Sequence, residues 1–343
     1  EVGAALLVAG SLVWIGMSFQ VPGVLLALLL IMLSWFMVEL VLYPTGDAGQ
    51  RRFLHLTLWL AVLAVFSSPK APRRMLGLGV LLGGAASSLA TIFVVSVYPG
   101  RVVGLFGDPN ALAAVVVVLA PIAIEQFHGR RARLALWLGA VALVVLTLSR
   151  TGIVSIAVAA SVYALFPLIR GWVVAIAAAA GTVLWIAPAD IRASGPFDLR
   201  DGSDDLRERI RTAGADSVAE SWWTGHGLGT AKVNLGRWGW GDYTFFFHNS
   251  YYALVSETGL IGATIVLLTV AGGTWRAMKN PLARGALAGV CAGLVMATQL
   301  GEVLVDLPMA IVIGMCWSPI AGFGSEAVLA DATASVAASP SVR

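Results

Sequence analysis

Long apolar runs separated by short polar breaks make up most of the chain. A helix needs about 20 apolar residues to cross a hydrocarbon layer about 30 Å thick. The runs are continuous, without the alternation typical of barrel strands, so each is predicted to be a helix that satisfies its own backbone hydrogen bonds. Such runs lie near residues 2–19, 21–43, 53–68, 75–97, 109–127, 132–148, 151–168, 171–188, 249–272, 284–300 and 304–322. The sequence therefore predicts an all-α fold, a polytopic transmembrane helix bundle of eleven such helices.

The composition agrees with a membrane protein and excludes a soluble domain. Of the 343 residues 58% are apolar and 12% are charged, whereas soluble domains have about 45–50% and about 25%. We expect membrane lipids as partners and no nucleic acid. Cys291 and Cys316 lie in apolar runs, where a free thiol behaves as a small hydrophobic group. They predict neither a disulfide nor a metal site.

The basic residues orient the predicted helices, because Lys and Arg collect at cytoplasmic helix ends. Four basic groups fall on one side of the layout: Lys70/Arg73/Arg74, Arg130/Arg131/Arg133, Arg170 and Arg276/Lys279/Arg284. Arg51 and Arg52 fall on the other side, so the layout between residues 44 and 74 stays open. An odd number of helices places Glu1 outside and the C-terminus inside. This arrangement is consistent with one further leading helix, which would make about twelve in the full protein.

The layout divides the chain into four parts. Residues 1–188 form N-terminal transmembrane helices, 189–248 a large extracytoplasmic loop with short helices, and 249–323 C-terminal transmembrane helices. Residues 324–343 have no periodic apolar face and are predicted to be a disordered tail. The loop holds nine of the 19 acidic and seven of the 22 basic residues. We therefore expect a plasma-membrane protein whose polar chemistry is concentrated on the extracytoplasmic face.

Two groups of arginines are candidates for binding an anion. Arg150 directly precedes a predicted helix at the extracytoplasmic surface, and the N-terminus of that helix also favours an anion; the alternative is a simple interfacial anchor. In the loop, Leu206, Ile210 and Ala213 recur at helical spacing, which places Arg207 and Arg211 on one face. Such a pair fits a diphosphate. The alternative is a solvated helix whose arginines pair with neighbouring acidic residues.

Three further features carry possible chemistry. Gly225, Gly227 and Gly229 alternate around His226, which permits a tight turn near a ligand or a neighbouring helix. His248-Asn249, where the loop returns to the membrane, is the better candidate for proton transfer, since a neutral imidazole accepts a proton near neutral pH. Glu257 follows in the next span, and we favour a role in helix packing over one in catalysis. The same caution applies to Glu39, Glu302 and Asp306.

Taken together, these motifs resemble those of the O-antigen ligase and polymerase superfamily. Its members share an Asn-Pro-Asn-x-x-Ala helix start, a Ser-Arg-x-Gly step, an arginine helix before Gly-x-Gly-x-Gly, and His-Asn-x-Tyr followed by Glu-x-Gly-x-x-Gly. The corresponding segments here are 107–113, 149–152, 207–229 and 248–262. Two positions depart from the pattern: Asp108 replaces the usual asparagine, and Trp222-Trp223 stands where a proline is common. The subfamily therefore stays open.

The resemblance implies a metal-independent, inverting glycosyltransferase that needs no cofactor. Its donor would be an undecaprenyl-diphosphate-linked glycan, and its acceptor a glycan or a lipid-anchored core, as in lipopolysaccharide or other cell-envelope polysaccharide biosynthesis. Arg150 and Arg207, with Arg211, would hold the diphosphate, and His248 would orient or deprotonate the acceptor hydroxyl. Asn249, Gly225, Gly227 and Glu257 would support the site. A polymerase that joins repeat units is the alternative, and a transporter, which needs polar residues at the membrane midplane, is disfavoured.

Overall fold

The computed structural model describes residues 20–69, 71, 73–90, 101–127, 129–169, 201–238, 241–280 and 283–319. This part of the chain is mostly helical. The spans predicted at 2–19 and 171–188, and the tail at 324–343, lie outside the described residues.

Helices occupy the other nine predicted spans, and a further helix occupies the loop. They are α1 Gly23–Leu42, α2 Asp47–Phe66, α3 Arg73–Ala90, α4 Pro109–Glu125, α5 Arg130–Leu146, α6 Arg150–Ile169, α7 Asp201–Glu220, α8 Ser250–Met278, α9 Arg284–Met296 and α10 Leu307–Trp317. By length and composition α1 and α8 are able to cross a membrane, and α4, α6, α9 and α10 are shorter apolar helices. The total of eleven or twelve membrane helices stays a prediction.

Large apolar side chains face outward on several helices, as expected of a protein whose solvent is lipid. Exposed examples are Val24, Ile31, Leu54, Leu58, Leu134, Leu138 and Leu268. The inner helices are packed through small residues instead. A Cβ on Gly285 of α9 would lie 2.8 Å from the carbonyl oxygen of Pro121 in α4, so the two backbones touch there. Close packing through small residues is typical of membrane helices.

The sequence predicted only short helices in the loop, whereas the structure also contains a pair of strands there. After α7, strands β1 Lys232–Trp238 and β2 Gly241–Phe246 form an antiparallel hairpin, in which Lys232 lies opposite Phe246 and Asn234 opposite Thr244. The fold is therefore not purely α-helical. The signal was local: polar and apolar residues alternate from Lys232 to Leu235, and the aromatic-rich stretch Tyr243–Phe246 favours a strand.

Helix α8 is broken, whereas the sequence predicted one continuous span at 249–272. Gly259 has φ 64° and ψ −178°, values that no helical residue adopts. The short segment before the break, residues 250–258, is attached at its start to the end of α9, where the Ser250 N–H donates to the Ala297 carbonyl across 2.8 Å. Near its other end, Glu257 pairs with Arg52, and Arg52 also pairs with Glu302 in the connection between α9 and α10. The segment is therefore attached at both ends to the connection between α9 and α10.

Candidate functional site

His248 lies two residues before the start of α8 and is exposed. Burial against the surrounding protein and the positive charge of Arg207 lower the pKa of His248 below its ordinary value of 6.5, while the carboxylate of Asp108 acts in the opposite direction. The structure thus brings together three residues that are distant in sequence. A cation and a neutral imidazole at one open site suit the binding of an anion next to a proton acceptor.

Asn249 fixes the backbone directly after His248. Its Oδ1 accepts hydrogen bonds from the N–H groups of Tyr251 and Tyr252 at 2.9 and 3.1 Å, so it caps α8. Its Nδ2 donates to the Thr298 carbonyl at 3.3 Å and so joins this cap to the end of α9. An asparagine is well suited to both tasks, since it carries an acceptor and a donor. Asn249 therefore holds His248 at a defined place on the bundle.

Helix α7 buries the face that carries its regularly spaced apolar residues, and this packing places Arg207 at the site. Ile210 is fully buried in a small cluster with Phe247 and Ala253, and Leu206 packs against it. Farther along, the Ser217 and Ser256 hydroxyls lie 3.1 Å apart. Arg207, next to Leu206 in the chain, is half-buried and comes close enough to His248 for its charge to act on the imidazole.

Arg211 is engaged within its own helix. Its Nε donates to Glu208 Oε2 at 3.0 Å, and its Nη2 donates to the second oxygen of the same carboxylate. The side chain is exposed, and the hydrogen bond to Glu208 raises its pKa. This is the solvated ion pair that the sequence left open as an alternative. Arg209 is likewise exposed. Within α7, Arg207 is thus the arginine at His248.

Arg150 is the first residue of α6, and the residues around it fix the start of that helix. The Ser149 hydroxyl accepts the Gly152 N–H at 3.2 Å, which caps the helix. A Cβ on Gly152 would lie 2.9 Å from the Ala113 Cβ, so α6 begins in close contact with α4. The Ser-Arg-x-Gly step therefore places a half-buried guanidinium at a helix N-terminus, where the backbone dipole adds to its attraction for an anion.

Arg101 is a further cation at this end of the bundle, and it was missed from the sequence. Its Nε donates to the Thr147 carbonyl at 2.7 Å and its Nη2 to Asn110 Oδ1 at 3.4 Å. Asp108 caps α4 by accepting the Asn110 N–H at 2.8 Å. Arg101 thereby joins the start of α4 to the segment that leads into α6. The available signal was the one used for Arg150, a basic residue on the side predicted to be extracytoplasmic.

The glycine motif packs into the break of α8. Gly225, Gly227 and Gly229 have φ values of 77°, 96° and 81°, which side chains other than glycine rarely adopt. The Gly227 N–H donates to the Glu257 carbonyl at 3.2 Å, and the Gly229 N–H to the Glu257 carboxylate at 3.1 Å. A Cβ on Gly225 would lie 2.6 Å from the Gly259 nitrogen. The motif therefore interlocks with Glu-x-Gly-x-x-Gly as part of the scaffold.

His226, inside the glycine motif, has a different environment from His248. Its backbone N–H donates a hydrogen bond to the Ser256 carbonyl across 2.7 Å. Its Nε2 lies 3.9 Å from Glu220, whose side chain is largely exposed. These contacts hold His226 against the glycine turn, and the described contacts do not join it to the His248 site.

Glu257 is paired with Arg52. Arg52 Nε lies 2.8 Å from Glu257 Oε2, and Arg52 Nη1 lies 3.2 Å from Glu302 Oε1. His55 Nε2 lies 3.9 Å from Asp306 in the same cluster. The pairing accounts for the departure of Arg52 from the predicted distribution of basic residues, since its side chain is buried and paired with acidic residues. Glu39 on α1 is also buried.

Metal-binding groups are scarce in the described ranges. No set of three or more His, Cys, Asp or Glu side chains there is placed to hold a metal ion. Cys291 and Cys316 are free and buried.

Comparison with known proteins identifies a family. Residues 134–267 match a family model described as O-antigen ligase. A search of curated proteins finds no match. The matched range holds most of the motifs, including Arg150, Arg207 and His248, and the family indicates a glycosyl-transfer enzyme of polysaccharide biosynthesis at a membrane. The match confirms, for residues 134–267, the resemblance that the motifs carry: this part of the chain is similar to O-antigen ligases, and the apolar helices agree with a membrane protein.

Proposed function

We propose that the protein transfers a glycan from an undecaprenyl-diphosphate carrier to a lipid-anchored or glycan acceptor, on the extracytoplasmic face of the bacterial plasma membrane. The observation that carries the proposal is the placement of His248 beside Arg207. Burial and the charge of Arg207 lower the pKa of the imidazole, which keeps it neutral at pH 7 and able to accept a proton. The same guanidinium is suited to the diphosphate of the donor.

The reaction is a single displacement. The acceptor hydroxyl oxygen attacks the anomeric carbon of the donor from the face opposite the diphosphate, and a new glycosidic bond forms there. The bond from the anomeric carbon to the phosphate oxygen breaks, and its electron pair leaves with the lipid diphosphate. His248 takes the proton of the acceptor hydroxyl. The configuration at the anomeric carbon is inverted.

The arginines stabilise the charge that develops on the leaving diphosphate. Arg207 is one binding group, and Arg150 at the N-terminus of α6 is the second. Arg211 would join them only on leaving Glu208. Fixed cations of this kind act as preorganised electrostatic catalysts, so we propose that the transfer needs no metal ion. The lipid diphosphate itself supplies the energy, so no cofactor is needed.

A polymerase that extends the glycan by repeat units is the second candidate, because it would use the same donor groups. A transporter is less favoured. Its site would be built from polar residues halfway along membrane helices, whereas Asp108 and His248 stand next to the starts of α4 and α8.

Gene deletion followed by profiling of surface glycans separates these functions. Loss of all polymer from its anchor indicates a ligase, and products with a single repeat unit indicate a polymerase. Purified protein in nanodiscs, given a defined undecaprenyl-diphosphate-linked glycan and candidate acceptors, tests the chemistry itself. Unchanged surface glycans in the deletion strain, with no transfer to any acceptor in vitro, would contradict both.

A further inference from the structure

Two neighbouring tryptophans lie exposed directly after α7. The ring centroids of Trp222 and Trp223 are 4.2 Å apart, and 48% and 55% of the two residues are exposed. Indole rings are large and mostly apolar, with one polar N–H, so an exposed pair indicates a partner that is apolar on one side and wet on the other. The reaction proposed above does not use them.

The pair is fixed at the break of α8. The Leu260 N–H donates to the Trp222 carbonyl at 2.7 Å. The Trp223 carbonyl occupies the position that a Cβ on Gly259 would take, so only glycine fits at the break. Trp222 and Trp223 are therefore attached to the point where segment 250–258 ends and the long part of α8 begins.

Below the break, α8 exposes an apolar stripe. Leu260, Ile261, Leu267, Leu268 and Trp275 are 38–59% exposed, and their spacing places them on one helix face. Nineteen residues from Leu260 to Met278 span about 28 Å at 1.5 Å per residue. This length matches a hydrocarbon layer about 30 Å thick.

The lower end of the stripe carries the usual features of a membrane boundary. Lys279 Nζ lies 4.7 Å from the centroid of the Trp275 ring, and the Arg276 guanidinium lies 5.6 Å from that of Trp317. Aromatic rings and basic side chains collect at the cytoplasmic interface. The stripe thus has tryptophans at both ends, separated by about the thickness of the hydrocarbon layer.

We propose that Trp222 and Trp223 bind the headgroup region of the outer leaflet and mark the outer boundary of the hydrocarbon layer. The spanning part of α8 is then 260–278, and residues 250–258 lie at the membrane surface. The pair anchors the glycine motif to the lipid at the depth where the diphosphate of a membrane lipid resides. The inference rests on the protein being embedded in a membrane and does not depend on the proposed reaction.

Site-directed spin labelling tests this placement in nanodiscs. Cys291 and Cys316 are 0% and 2% exposed, so a thiol-reactive nitroxide is expected to label Trp223→Cys selectively. Arg209→Cys, on the exposed side of α7, is the matched control. We expect the nitroxide at position 223 to collide less often with a water-soluble nickel complex, and more often with oxygen, than the nitroxide at position 209. Equal nickel accessibility at both labels would overturn the proposal in favour of a water-exposed surface, and loss of both collision types would indicate a protein partner instead.

Fluorescence quenching provides a second test, with a variant that keeps an aromatic side chain at both positions. The chain has 12 tryptophans, and the double variant Trp222→Phe/Trp223→Phe removes two of them. In lipid brominated close to the headgroup, the parent should lose a larger fraction of its fluorescence than the double variant. Quenching that is equal in the two proteins would overturn the proposal.

Discussion

The guanidinium of Arg52 lies 2.8 Å from the carboxylate of Glu257, and this pair connects α2 to the last turn before the break in α8. Only 7% and 3% of the two side chains are exposed. The same carboxylate accepts the Gly229 N–H. One buried ion pair therefore joins α2, the glycine motif and α8 behind the candidate site.

Removing one member of this pair should destabilise the protein strongly. Arg52→Met leaves Glu257 buried without its partner, which typically costs about 3–5 kcal/mol. The double variant Arg52→Met/Glu257→Gln removes both charges. Its loss in free energy of unfolding should therefore be smaller than the sum of the losses of Arg52→Met and Glu257→Gln. Thermal unfolding in detergent measures each variant. Glu302→Gln is the control, since that side chain is 49% exposed and its loss should be milder; strictly additive single losses would mean that the pair does not couple.

The sequence predicted the helices well because each apolar run carries its own signal. The nine predicted spans within the described ranges coincide with helices to within a few residues at most ends. The break at Gly259 was missed because the residues that make it necessary, Trp223 and Gly225, come from a distant part of the chain. The pairing of Arg52 with Glu257 was missed for the same reason. Long-range contacts of this kind leave no periodic pattern in either segment.

The candidate site could be predicted only as a set of residue types. The motifs named His248 and Arg207, and the geometry adds that the charge of one acts on the imidazole of the other. The motifs did not distinguish Arg207 from Arg211, although Glu208 stands three residues before Arg211 and its pairing is local. Arg101 was missed because its partners, Thr147 and Asn110, meet only in the folded protein.

Arg207→Lys should lose most transfer activity although the charge is kept. An ammonium cannot reproduce the forked hydrogen bonds of a guanidinium to two phosphate oxygens. Donor affinity should fall together with the rate. Arg209→Lys, on the exposed side of the same helix, is the matched control and should behave like the parent. Near-parent rate and affinity in Arg207→Lys would show that Arg207 is only a solvated helix residue.

Asp108→Asn should move the acidic limb of the pH–rate profile to lower pH. The carboxylate of Asp108 raises the pKa of His248, so removing its charge lowers that pKa further and keeps the imidazole neutral in more acidic buffer. Asparagine caps a helix as well as aspartate does, so the start of α4 should be preserved. The rate is measured from pH 5 to 8 in both proteins. A limb that stays in place, or moves to higher pH, would contradict the placement of Asp108 beside a catalytic His248.

Transfer should persist in chelator. The proposal assigns the charge of the leaving diphosphate to Arg150 and Arg207, which makes a divalent ion unnecessary. Rates are compared in reconstituted protein with and without EDTA. Complete loss of transfer that an added divalent ion restores would show that a metal carries part of the role assigned to the arginines.

The central claim is that His248 accepts the proton of the acceptor hydroxyl, and it is tested most directly by comparing His248→Ala and His248→Gln with the parent in nanodiscs, with rate and donor affinity measured for each. General-base catalysis contributes about 10²–10⁴-fold, so both variants should be slowed by that order while donor affinity is retained. His226→Ala should have a much smaller effect. Glutamine keeps the polar reach of the side chain but cannot act as a base. A glutamine variant that transfers glycan at the parent rate would contradict the account.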